Sequence, residues 1–518
     1  VNITAPTFEW LELAPVLIVL TAAILGVVIE AAVPRAYRLV SQVGLMVVAL
    51  VAALAMLVEN FVSQRTGTLV GTSMVLDGPA YLAWAALLVF GLLSMLLFAE
   101  QRLGNGATAF AASAAAVPGS LSESEAAVAQ HEHTEVFPLA LFSLSGMLVF
   151  ASANDLLTAF VALEVMSLPL YLLSAMARRR RLLSQEAALK YFLLGALSSA
   201  FFLFGIALVY GYAGSFGFRE IATSIGAPVY GHGLLLTGMG FLAIGLLFKI
   251  GAVPFHNWVP DVYVGAPTPV TGFMAICTKF AAVMAVVRVF YVALGAERWS
   301  WQPLIATIAV LTMVIGVVIA VAQTDIKRLL AYSSISHAGF ILVAVVGASV
   351  GTAAGASSSL ASIVFYLVAY GFATIASFAA VSMVRDAAGE VHSIAGWSGL
   401  ARRNPFLAAA VAVAMLSFAG IPLTGGFIGK WAVFTSAWRG GYSWLVAVAI
   451  LASVVAAYVY FKVIIAMFFG EPVAGVEVGK ASGFTLVPLV IGATATVYLG
   501  LFPGQLLDLA TAVGTFLR

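Results

Sequence analysis

The chain has 518 residues, of which 63% are hydrophobic and 9% charged, whereas an ordinary soluble domain is roughly 45–50% apolar and about 25% charged. A mean hydropathy of +1.09 excludes a water-soluble globule, and a net charge of +2 argues against nucleic-acid binding or a polybasic membrane-surface role. The single cysteine, Cys277, is too few for a four-thiolate iron–sulfur cluster, a structural zinc site or an intrachain disulfide.

The apolar stretches run continuously instead of alternating with period two, so they predict an all-α polytopic membrane bundle and not a barrel. A spanning helix needs about 20 apolar residues. Segments of that kind fall at about 11–33, 40–58, 80–99, 136–153, 155–177, 186–212, 232–253, 269–293, 303–323, 329–349, 359–384, 405–438, 443–469 and 484–502, which predicts about fourteen transmembrane helices. The opening, Val1 to Trp10, has no basic n-region and is expected not to be a cleaved signal. Residues 1–99 form an N-terminal three-helix segment, 136–294 and 302–470 hold segments 4–8 and 9–13, and 483–518 carry the last. The polar stretch 100–135 reads as a flexible loop or a short surface helix. Its His131 and His133, beside Glu132 and Glu135, read as a solvated loop before they read as a metal site. Loops after odd-numbered segments hold thirteen Lys and Arg residues against four in the opposite loops, which predicts cytoplasmic odd loops and both termini outside.

Six basic residues then remain inside the segments: Lys190, Lys249, Lys279, Arg288, Lys430 and Lys462, with Glu164 as the acidic counterpart. Each costs about 2.5–3.5 kcal/mol at mid-bilayer, so a set without a use would be replaced by apolar residues. Arg288 and Lys462, near aromatic segment ends, fit snorkelling equally well, and Lys190 is near enough to an end to do the same. Glu164, deep in its segment, has no stem with which to snorkel, and reads either as a structural hydrogen-bonded carboxyl or as a functional one.

Lys249 precedes Gly251 and Pro254 in LLFKIGAVPFHNWVP, and Lys430 follows Pro422, Gly425 and Gly426 in LSFAGIPLTGGFIGKW. Such residues free backbone groups that lipid cannot satisfy. They predict that helices 7 and 12 are discontinuous, one in each of two inverted five-helix repeats (helices 4–8 and 9–13), the arrangement of an ion transporter. Proton affinity of a buried lysine falls with desolvation and rises beside a carboxylate. Glu164 pairing alternately with Lys190 and Lys249 would therefore switch proton binding, and Lys279 and Lys430 would continue the line through bridging water. His337, in YSSISHAGF, is either a further polar link or a satisfied core histidine. Asp261, His256 and Asp325 read as loop-end residues that position backbone.

Five stretches carry a resemblance: FKIGAVPFHNWVPDVYVGAPTPVTGFM (248–274), ALEVMSLPLYLL around Glu164, AALKYFLLGALSSAF around Lys190, AQTDIKRLLAYSSISHAGF (322–340) and PLTGGFIGKW. Together they resemble the proton-translocating membrane subunits of respiratory complex I and their antiporter relatives. The resemblance implies a multi-pass subunit of a bacterial plasma-membrane NADH:quinone oxidoreductase, moving protons through Glu164, Lys190, Lys249, Lys279 and Lys430, with His337 as a further relay group. It implies that this chain binds no cofactor, since it shows no dinucleotide motif or cluster ligands, and that NADH, FMN, iron–sulfur clusters and quinone are handled by the other membrane and peripheral subunits. The VPDVYVGAPTPVT form, Lys279 where two paralogues tend to have histidine, and no residues left for a long lateral helix favour the third paralogue. Val264 departs from the acidic residue or glutamine frequent in that turn. Other readings are a subunit of a multisubunit Na+/H+ antiporter or membrane-bound hydrogenase, a stand-alone symporter, and a scaffold whose lysines anchor assembly.

Overall fold

Apolar segments in lipid have no water to bond, so their N–H and C=O groups must pair within the segment, and the chain is helical wherever those segments lie. The computed structural model describes residues 8–104, 106–129, 132–226, 231–348 and 353–517; most of the opening stretch read above, and His131, lie outside them. The principal helices are α1 (Trp10–Ala32), α2 (Arg35–Val62), α3 (Gly78–Leu96), α4 (Val136–Ser152), α5 (Leu156–Ser174), α6 (Arg181–Ala213), α7 (Gly233–Ile250), α8 (Thr268–Ala293), α9 (Arg298–Val321), α10 (Ile326–Val346), α11 (Ala353–Met383), α12 (Pro405–Ala419), α13 (Ser443–Phe469) and α14 (Gly483–Leu501). Twelve helices among the described residues are long and apolar enough to cross a membrane. The other two expected segments, α4 and α12, are shorter apolar helices, and α12 is continued after a break by Gly425–Arg439.

Polar caps set where several helices begin. Asp77, Asp155, Asp325 and Asn404 each accept a hydrogen bond from the backbone N–H three residues on, satisfying a donor that the first turn leaves free. Asp325 is thus the backbone-positioning residue that its loop-end place suggested. Stretch 100–135 contains a short helix, Leu121–Val128, and is tied down by Glu132, which accepts from Arg178 at 3.0 Å. His133 pairs with Glu135 at 2.8 Å, and no metal-binding group of His, Cys, Asp and Glu occurs among the described residues.

Two small sheets close the ends of the bundle. The hairpin of β1 (Gly67–Leu69) and β2 (Met74–Leu76) pairs Gly67 with Leu76 between α2 and α3. On the opposite, arginine-rich face, β3 (Val384–Asp386), β4 (Gly389–Glu390) and β5 (Glu477–Val478) form a sheet in the order β4-β3-β5.

Arg288 does not snorkel. It is 1% exposed and its guanidinium grips Asp77 at 2.7 and 3.0 Å while donating to the Ala151 carbonyl at 3.2 Å. Tertiary packing brings the start of α3 to the end of α8, and a paired carboxylate removes the reason for the side chain to seek the interface. The C-terminal stretch seals the pair: the Phe516 ring lies 5.4 Å from the guanidinium, and the Leu517 N–H donates to Asp77 at 3.2 Å. Lys462 reaches the Gln323 carbonyl beyond the end of α9 at 3.0 Å.

Replacing Asp77 or Arg288 by alanine should each cost about 3–5 kcal/mol, because either leaves a buried charge unpaired, whereas replacing both by apolar residues should cost less than either alone. A double-mutant cycle on the thermal unfolding of the purified chain measures this, and additive losses would contradict it.

Candidate functional site

Helix α7 ends at Gly251 (φ +78°) and α12 at Gly420 (φ +81°), both in the left-handed conformation that glycine adopts without a Cβ penalty. The two ends are built alike. The Gly251 N–H donates to the Phe248 carbonyl and the Ala252 N–H to Leu247, each at 3.0 Å; the Gly420 N–H donates to Ser417 and the Ile421 N–H to Leu416, also at 3.0 Å. This is the Schellman closure of a helix C-terminus. After each break a second helical piece follows, Trp258–Gly265 and Gly425–Arg439, so helices 7 and 12 are discontinuous as the glycines and prolines predicted. Helix α7 runs toward the arginine-rich face and α12 away from it, so the matching breaks lie in segments of opposite direction.

Each break holds a buried lysine, differently placed. Lys430, 5% exposed, turns back across its break and donates to the Phe418 and Ala419 carbonyls at 2.9 and 3.0 Å and to Ser453 Oγ at 2.8 Å. Carbonyls freed by the break thus become ligands for the ammonium. Lys249, 4% exposed, sits before its break, where the Trp258 indole instead takes the Phe248 carbonyl at 3.0 Å. Among the described residues its ammonium has only the Tyr191 hydroxyl, at 3.4 Å, and the faces of the Tyr171 and Tyr191 rings at 5.6 and 5.1 Å.

A broken seam of further buried polar groups centres on Lys279 and His337. Lys279, 3% exposed, stands where a π-helical turn, Met274–Thr278, gives way to regular helix. It donates to the carbonyl of Ser334 and to its Oγ, the latter at 2.5 Å, and lies 5.2 Å from the Tyr370 ring. Three residues along α10 from Ser334, on the same face, His337 bonds Tyr366 at 2.6 Å through Nδ1 and Tyr460 at 3.2 Å through Nε2. Tyr460 in turn meets Ser333 at 2.6 Å. His337 is within electrostatic reach of both Lys279 and Lys430.

Glu164 and Lys190 are placed otherwise than the alternating pair required. Lys190 lies at the flank, its side chain 44% exposed, bound to Glu186 and Asp261 at 2.8 Å each; Asp261 also meets Arg328 at 3.5 Å. Asp261 is therefore an ion-pair partner and not simply a backbone-positioning residue. Glu164 has no ion pair within 4.0 Å among the described residues. One of its carboxylate oxygens is buried with no hydrogen-bond partner, and it acts on Lys249 and Tyr171 through space. His256, inside the first break, likewise has a buried Nδ1 without a partner.

The residues that sequence reasoning missed are hydroxyls: Tyr191, Tyr366, Tyr370, Tyr460, Ser333, Ser334 and Ser453. A signal existed for two of them, since Tyr366 and Tyr370 are four apart in SIVFYLVAY and share a helix face. Tyr191 adjoins Lys190 in sequence, but the pair points to opposite sides, the tyrosine inward and the lysine outward.

A bundle with two broken helices and a buried line of lysines is of the antiporter-like class, and the comparisons agree. The model of the NADH:quinone oxidoreductase/Mrp antiporter transmembrane family matches residues 153–456, a stretch that includes every site residue named above except Tyr460, and the chain belongs to that family. Among its relatives is NADH-quinone oxidoreductase subunit N of Nocardioides sp., 51% identical over 528 residues that cover 99% of each chain. A chain of respiratory complex I from Thermus thermophilus superposes with a TM-score of 0.76 at 31% identity, covering 96% of this chain and 99% of that one. A chain of the Mrp complex from Dietzia sp. gives a TM-score of 0.79 at 21% identity, covering 97% of each, which is a likeness of fold alone.

Closeness at the second break is a testable requirement. A Cβ on Gly426 would stand 1.9 Å from the Ser417 carbonyl oxygen, and none of the described atoms lies within 4 Å of one on Gly44 in α2. Gly426→Ala should therefore lower the unfolding midpoint of the purified chain by several degrees while Gly44→Ala leaves it unchanged.

Proposed function

We propose that this chain is a proton-translocating membrane subunit of an NADH:quinone oxidoreductase, lying in the bacterial plasma membrane with its arginine-rich face in the cytoplasm and both termini outside. The observation that carries the reading is the set Lys249, Lys279, Ser334, His337, Tyr460 and Lys430, buried within a single chain, in which Lys279 bonds Ser334 and His337 bonds Tyr460; bridging water would complete the line. Sequence identity to subunit N relatives supports the oxidoreductase over the antiporter assembly, because the fold is common to both.

Protons would move when the charge state at one position alters the affinity of the next. Lys249 is the natural switch, since its ammonium lacks the carbonyl ligands that hold Lys279 and Lys430 and depends on the through-space field of Glu164. A change in the surroundings of Glu164, which is incompletely hydrogen-bonded and near the flank, would load or unload Lys249 and pass along the seam. Oxidation of NADH, with its flavin, iron–sulfur clusters and quinone, would belong to partner subunits; the lone thiol, Cys277, is buried and this chain supplies no cluster ligand set. Lys190 would act at the flank, with Glu186, Asp261 and Arg328, and not as a second partner of Glu164 in this arrangement.

The test is NADH-driven proton uptake by vesicles carrying the assembled complex. Glu164→Ala and Lys249→Ala should each reduce pumping several-fold, with assembly judged by copurifying subunits. Assembled complexes that pump normally in both variants would refute the relay. Tyr460→Phe should slow pumping with less effect on assembly, because it deletes one hydroxyl between His337 and Ser333, a loss of about 1–3 kcal/mol for a buried group left unsatisfied.

A further inference from the structure

The loops of the arginine-rich face enclose a cavity of about 140 Å³, many times the room one water needs. Arg178, Arg179 and Arg180 border it from the α5–α6 turn, Arg385 from β3 and Lys327 from the start of α10. Two carboxylates also line it, and both are engaged by other donors. Glu100 accepts from the Ser482 N–H at 2.9 Å and from the Ser482 and Thr485 hydroxyls at 2.7 Å. Glu390 accepts from Thr268 at 2.5 Å and from His392 at 3.4 Å. Burial pushes the Glu390 carboxyl up, but His392, Lys327 and Thr268 together outweigh it and hold the group at about 2.

The cations are satisfied unevenly. Arg178 pairs with Glu132 at 3.0 Å and Lys327 donates to the Ala266 carbonyl at 2.9 Å. Arg179, Arg180 and Arg385 have no carboxylate within 4.0 Å among the described residues. Arg180 donates to His392 Nδ1 at 3.0 Å, and among the described residues Arg179 and Arg385 reach only single carbonyls, at 3.5 and 3.3 Å. Burial lowers the pKa of Arg385 and the charge of Arg179 lowers it further, while the more distant Glu390, Asp386 and Glu100 oppose without offsetting it. Three guanidiniums around one cavity without a bound counter-charge have the donors, in planar forks, that match a tetrahedral oxyanion.

We propose that this cavity binds a phosphate-bearing anion through Arg179, Arg180 and Arg385. The anion is either free in solution or the headgroup of an anionic phospholipid, both of which present the same phosphate oxygens. Thr268 and Pro269, at the start of α8, and Lys327, at the start of α10, share the wall. An occupant therefore ties together the two helices whose Lys279 and Ser334 meet farther down. The proposal does not depend on the proton relay.

The experiment measures the thermal unfolding midpoint of the purified full chain in nanodiscs. One arm titrates inorganic phosphate against chloride at matched ionic strength in phosphatidylcholine; the other exchanges phosphatidylcholine for phosphatidylglycerol without phosphate. A rise in the first arm identifies the free anion and a rise in the second alone the headgroup, and either supports the site provided that Arg179→Gln/Arg385→Gln weakens the response at least tenfold in apparent affinity. No rise in either arm, or an equal rise in the double variant, overturns it. Should the double variant fold poorly, Arg179→Gln alone serves, since that side chain is exposed, and Arg439→Gln on the opposite face is the control that should keep the full response.

Discussion

Lipid offers a peptide group nothing to bond, and that refusal shapes this molecule more than any single contact. Where the helices are regular the constraint is met locally. Where α7 and α12 stop, it has to be met by something else, and the two breaks meet it first in the same way, with a left-handed glycine whose N–H and successor close back on the preceding turn. The carbonyls still open are then taken by side chains that the fold delivers: the Trp258 indole at the first break, the Lys430 ammonium at the second. A break in a membrane helix is thus both a demand and an offer, since the backbone groups that need partners are also the ones able to hold an ion.

The same constraint explains why three buried lysines need not have carboxylates beside them. A buried ammonium must be repaid in hydrogen bonds or ring faces, and a buried ion pair often fails to recover its desolvation. Lys279 and Lys430 are held by serine and backbone oxygens, each with an aromatic face nearby. Arg288 takes the other solution, a two-pronged carboxylate sealed by the C-terminal stretch, and its charge is fixed in place. The contrast separates two kinds of buried cation within one bundle: the one with a full carboxylate partner ties helices together, and loss of a proton from those held by neutral oxygens would strand no negative charge. Lys249 has the poorest set of neutral partners of the three among the described residues, with Glu164 acting only at a distance.

Much of the candidate site was legible because membrane burial penalises charge one residue at a time. Glu164, Lys249, Lys279 and Lys430 stood out against apolar neighbours, and the glycines and prolines beside two of them marked the broken helices. The partners were not legible in the same way. Lys190 and Glu164 look like members of one set in the sequence, yet α6 turns Lys190 outward to Asp261 on the piece after the first break, and Tyr191, its neighbour, inward under Lys249. Arg288 and Lys462 looked alike near aromatic ends; only packing gave one of them an aspartate from a helix start far away in the chain.

What the amino-acid order determined by itself was therefore the solvent, the helical segments, the places where helices had to break and the charges that needed a reason. These follow from transfer free energies and backbone sterics, which act over a few residues. Tertiary structure decided which oxygens answer each ammonium, that the hydroxyls of Tyr366 and Tyr460 both bond His337, and that three arginines of two separate loops converge on one cavity. Those relations join residues as far apart as 279 and 334 or 179 and 385, and their geometry depends on how whole helices pack, which no local property of the chain encodes.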